Sequence, residues 1–152
     1  MPTPPPRPNS SSAPRQRPAT ESSQLAQQKA GIHLTIYDLH TQFALVVVVA
    51  NGAAGGWALA AHRFIALRRR ALWWFIGLAE VSIFVEVAFG VAVVNNGRPI
   101  QKFHAFYGFL AIIAVGIIYS YRLQLKGKTY LLYGGGSLFV MGLCIRAMLL
   151  DR

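Results

Sequence analysis

Acidic residues are scarce in this chain, five Asp and Glu among 152 residues against fifteen Lys and Arg. Charge of either sign reaches only 13%, while hydrophobic residues make up 54%. That balance excludes an ordinary water-soluble domain, in which roughly a quarter of residues are charged. Cysteine is down to one, Cys144, so no disulfide can form within the chain, and its apolar setting reads as that of a small buried residue. After residue 31 a single proline, Pro99, remains. Gly134, Gly135 and Gly136 have no following Lys-Ser/Thr pair, which excludes a phosphate-binding loop. No other catalytic constellation is present, and the chain reads as a non-enzyme. An apolar run near the N-terminus is also missing, so a span inside the chain is expected to anchor it.

What is there is apolar sequence in long blocks. Residues 43–61, 71–94, 103–121 and 130–150 each approach or exceed the ~20 residues a helix needs to cross about 30 Å of hydrocarbon. Their apolar residues are continuous where barrel strands would alternate with polar ones, so helices are predicted. The connections HRFIALRRR, NNGRPIQK and RLQLKGKT are short enough to be hairpin loops. The prediction is an all-α fold, a four-helix transmembrane bundle running up-down-up-down over residues 32–152. Residues 1–31 hold seven of the eight prolines and almost no large apolar side chain. A disordered Pro/Ser/Arg-rich tail is predicted there, with polyproline II character around Pro4, Pro5 and Pro6.

The net charge of +10 does not point to nucleic acid, because the basic residues are spread over loops on both faces, without a basic helix or a stacking platform. The lipid bilayer and its anionic headgroups account for them. Arg63, Arg68, Arg69, Arg70, Arg122, Lys126 and Lys128 fall on one face, and Lys29, Arg98, Lys102 and Arg152 on the other. This bias predicts a plasma-membrane protein of bacterial type, with loops 62–70 and 122–129 cytoplasmic and both termini outside.

Two carboxylates lie inside the second block, in LAEVSIFVEV, at Glu80 and Glu86. Each costs about 2.5–3.5 kcal/mol at mid-membrane, so they must face protein, be protonated or have partners. At 1.5 Å per residue, Glu86 lies about 12 Å from the end of its block and Asn51 about 12 Å from the start of the first, on the same face. Arg146 lies about 6 Å inside that face. An intramembrane polar cluster of Asn51, Glu86 and Arg146 is therefore expected, with Glu80 deeper and without a charged partner at its height. His40, Ala44, Val47, Asn51, Gly55 and His62 share one side of the first helix. Gly52 and Gly56 next to it form a GxxxG pair, expected to serve close helix packing.

His40 and His104 open the first and third blocks and so share a membrane face. Two imidazoles facing each other from neighbouring helices are what six-coordinate haem b requires, and Gly108, one turn beyond His104, leaves room for a flat ring. In outline this layout resembles small haem-b membrane proteins, departing from them in offering no second histidine pair on the other face. A Zn or Cu site from His33, His40 and His104 lacks a cysteine or close carboxylate to complete it, so no metal site is expected. Three functions follow as expectations. The first is a non-catalytic accessory or assembly subunit docking, through small-residue faces, on other membrane subunits or on itself. The second is electron transfer by haem b on His40 and His104, and the third is an oligomeric proton or ion conductor using Glu80 and Glu86.

Overall fold

In the computed structural model the described residues are 1–3, 19–97 and 101–150, and among them no strand occurs. Helix α1 runs Ala19–Arg63, α2 Arg70–Asn95, α3 Lys102–Tyr121 and α4 Thr129–Leu150. Single turns of 3-10 helix, Ile65–Leu67 and Lys126–Lys128, sit in the loops after α1 and α3. By internal contact the chain divides into Met1–Ile32 and His33–Arg152, and the bundle is built from the latter.

Four helical stretches are long and apolar enough to cross a membrane: Thr35–Arg63, Arg70–Asn95, Lys102–Tyr121 and Lys126–Leu150. The all-α bundle is as expected, and the last three stretches match the expected spans to within a few residues. The first begins well before Phe43, because TIYDLHTQ, though mixed in polarity, continues the helix without a break. At 1.5 Å per residue it is about 43 Å long, so part of it must stand in the headgroup region or tilt.

Within the stretch expected to be a disordered tail, residues from Ala19 onward are helical, as the first part of α1. Pro18 is the last proline before position 99, and ATESSQLAQQKA is rich in Ala, Gln, Leu, Glu and Lys, so nothing opposes a helix once the prolines stop. Pro4, Pro5 and Pro6, with the polyproline II expectation, lie outside the described residues.

Side-chain size is distributed as lipid dictates. Ala54, Ala58, Ala61, Ala79, Ala111 and Ala114 are buried with Leu72, Ile76 and Ile83, while Trp74 (76%), Leu78 (65%) and Phe139 (58%) are exposed. In water so much exposed apolar surface would drive aggregation. Against acyl chains it is neutral, and the helices hold together by close packing of small residues. That packing centres on Gly55 of α1 and Gly134 of α4. A Cβ added to Gly55 would stand 2.9 Å from the Gly134 carbonyl oxygen, and one on Gly134 would stand 3.1 Å from the Leu59 backbone nitrogen. Of the expected GxxxG pair, Gly52 packs under Met141 and Gly56 faces open space.

The loop after α1 is fastened by side chains. Arg68 donates from Nε to the Ala61 carbonyl at 2.9 Å and from Nη2 to the His62 carbonyl at 3.0 Å. These are among the end-of-helix carbonyls that have no partner within α1. Arg68 also lies over the Tyr130 ring, 5.0 Å from its centre, and Trp57 Nε1 donates to the Leu67 carbonyl at 3.2 Å. At the other face, α2 stops at Gly97, whose φ of +85° suits the left-handed turn that commonly ends a helix.

Candidate functional site

The polar side chains of the bundle separate into two levels. At the first, His40 of α1 is 6% exposed on the helix face that also buries Val47 and Asn51, at offsets of seven and eleven residues. The start of α1's apolar stretch, the end of α2 and the start of α3 coincide there, which brings His40, Glu86 and His104 to one height. His40 Nδ1 lies 2.9 Å from Glu86 Oε1. The ring of His104 meets that of His40 edge to face, with centres 5.7 Å apart and planes at 75°. His104 Nδ1 lies 3.0 Å from the Ala147 carbonyl oxygen, in the last four residues of α4.

The contact to Ala147 decides the tautomer of His104. A carbonyl oxygen only accepts, so the hydrogen of His104 belongs on Nδ1, and Nε2 presents its lone pair. At His40 the Glu86 carboxyl lies within ion-pair distance of Nδ1. A backbone carbonyl at the distal nitrogen, as at His104, is one of the partners that metal-ligating histidines use.

A cavity of about 260 Å³ opens beside the pair. His40, Glu86, His104 and Tyr107 are among its polar lining residues, and Val91, Val94, Phe109 and Met148 are among its apolar walls. Val91 (54%), Val94 (47%) and Phe109 (62%) are also exposed on the outer faces of α2 and α3, so the cavity opens sideways toward lipid. Gly90 guards the edge of the His40 ring: a Cβ there would stand 3.4 Å from Cε1 and 3.9 Å from Nε2. Gly108 lines the cavity as expected, although a Cβ at that position would meet only Val87 Cγ2, at 3.8 Å.

The second level lies deeper. Asn51, 1% exposed, donates from Nδ2 to the Val47 carbonyl at 2.9 Å and across to the Ala79 carbonyl of α2 at 3.2 Å. Its Oδ1 and Glu80 Oε1 are buried without a hydrogen-bond partner, as is Oε2 of Glu86 on the first level. The expected cluster of Asn51, Glu86 and Arg146 is therefore not formed. Asn51 stands at the height of Ala79 and Glu80, Glu86 takes His40 as its partner, and Arg146 is exposed on α4. The physical reason is the early start of the first span, which sets Asn51 deeper than a count from Phe43 implies.

Sequence reasoning missed Gly90 and the Ala147 carbonyl. Gly90 carries a sequence signal, since it lies four residues after Glu86 and so shares its face of α2. The Ala147 carbonyl carries none, because a backbone acceptor is set by tertiary packing alone. Among the described residues, no three His, Cys, Asp or Glu side chains are gathered to hold a bare metal ion. Compared with models of known families, with curated proteins and with solved structures, the chain matches none.

Proposed function

We propose that this chain is a membrane electron-transfer protein that holds one haem b, with Nε2 of His40 and of His104 as the two axial ligands. One observation carries the reading: imidazoles from two different helices meet edge to face at one height, with the Glu86 carboxyl and the Ala147 carbonyl close to their Nδ1 atoms. The ring centres stand 5.7 Å apart, and both rings line the same cavity. A bare ion would need a third or fourth ligand, whereas haem asks the protein for only two.

Haem b would supply one-electron chemistry, and the chain's part is to hold, orient and dry the site. Val91, Val94, Phe109 and Met148 keep water from it, and the sideways opening gives a flat apolar ring a route from the bilayer. The distribution of Lys and Arg supports a bacterial-type plasma membrane, with loops 62–70 and 122–129 cytoplasmic.

An accessory role by docking through small-residue faces draws less support, because Gly55 and Gly134 are used within the bundle. Proton or ion movement is favoured by the unpartnered oxygens of Asn51, Glu80 and Glu86. Against it, the walls of the cavity reach Glu86 but include neither Asn51 nor Glu80. The test is the absorption spectrum of the full chain purified from membranes. A Soret band is expected, lost in His40→Ala and in His104→Ala and kept in His62→Ala, whose side chain is exposed. A purified chain without the band overturns the reading.

A further inference from the structure

The two imidazoles are held by unequal partners. His104 meets a neutral backbone carbonyl, while His40 meets a carboxyl group. Glu86 is partly buried, its Oε2 has no hydrogen-bond partner among the described residues, and Arg146, the cation expected beside it, is exposed on α4. The Glu86 carboxyl stands 2.9 Å from Nδ1 of His40.

We infer that Glu86 is a positioning residue that sets the reduction potential of the iron through His40, an inference that rests on the haem reading. A carboxylate held close to Nδ1 restrains the ring and makes Nε2 a stronger electron donor. A negative charge one imidazole away from the iron also favours ferric over ferrous, because little solvent intervenes to screen it. Both effects lower the potential. Ala147 acts in the same direction on the other axial ligand, with the weaker negative end of the α4 dipole. Glu86 would thus be the main side chain favouring loss of the electron from a haem iron held here.

Redox titration of the purified, haem-loaded full chain tests this, with Glu86→Gln, Glu86→Asp and Glu80→Gln beside the unaltered protein. Glu86→Gln keeps an acceptor and removes the charge. It is expected to keep the Soret band and to raise the equilibrium constant for reduction at least tenfold, about 59 mV for one electron. Glu86→Asp, which draws the charge back by one methylene, is expected to move the midpoint the same way by less. It carries the test should Glu86→Gln fail to hold haem. Glu80→Gln removes a carboxyl from the same helix without touching either histidine, and is expected to leave the midpoint unmoved. A Soret band with an unmoved midpoint in the Glu86 variants, or an equal shift in Glu80→Gln, overturns this inference alone. Absence of the band from the unaltered chain overturns the haem reading with it.

Discussion

Gly55→Ala puts the packing of the bundle to a quantitative test. The added Cβ would lie 2.9 Å from the Gly134 carbonyl oxygen and 2.8 Å from Leu138 Cγ. The leucine can turn aside. The carbonyl belongs to the α4 backbone and cannot move without carrying the helix, so α1 and α4 must separate. Overpacking of this kind costs about 1–3 kcal/mol. Alanine recovers up to about 1 kcal/mol of helix propensity over glycine. At Gly56 and Gly135 a Cβ meets nothing within 4 Å, so Gly56→Ala and Gly135→Ala collect the propensity gain alone. The propensity term cancels between the two classes. Gly55→Ala should then fall below Gly56→Ala by the overpacking term itself, roughly 5-fold to 150-fold in the unfolding constant at 1.4 kcal/mol per decade. Reversible unfolding in mixed micelles, followed by far-ultraviolet circular dichroism, measures it. Equal stabilities for the two variants would refute the close α1–α4 approach.

Gly90→Leu should abolish the Soret band while leaving helix content and thermal unfolding close to the unaltered protein, because the new side chain covers the Nε2 edge of His40; retained haem would show that edge to be unused. Arg68→Ala removes two donors from the end of α1, and a loss of about 1–2 kcal/mol is expected in micelle unfolding, with only partial recovery in Arg68→Lys, which cannot fork to both carbonyls. Asn51→Leu gives up one interhelical bond, worth about 0.6 kcal/mol on average in membranes, and also removes a buried unpartnered oxygen whose burial costs about 1–3 kcal/mol. It should be as stable as the unaltered chain or more so, while Asn51→Asp, with a second acceptor where the donor stood, should be less stable in the same assay. The ferric protein should give the electron paramagnetic resonance signal of crossed axial imidazoles, one dominant feature at large g, because the ring planes stand at 75°; the three-line spectrum of parallel rings would contradict that orientation.

Much of the bundle is legible because lipid is a demanding solvent. It forces the backbone into helices and spaces the polar loops, so α2, α3 and α4 can be delimited from composition alone. The start of α1 is not legible in this way. TIYDLHTQ has the mixed polarity of an interface, and only the continuing helix reveals that it belongs to the span. From that one uncertainty follows the misplaced depth of Asn51. The histidine pair could be read, since helix parity decides which ends share a face. The partner of Glu86 could not, because pairing it with His40 over Arg146 depends on rotation about the helix axes, which a continuous apolar pattern does not encode. Glycines show the same limit. Sequence marks Gly52 and Gly56 by their spacing, while the backbone approach falls on Gly55 and Gly134, which no motif couples.

Titration of the purified full chain with haemin in detergent tests the central claim most directly. One equivalent per chain should saturate it and give the spectrum of a six-coordinate low-spin iron, and neither His40→Ala nor His104→Ala should reach that end point. Binding that never saturates at one equivalent, or that proceeds unchanged when both histidines are replaced, would contradict a site built from this pair.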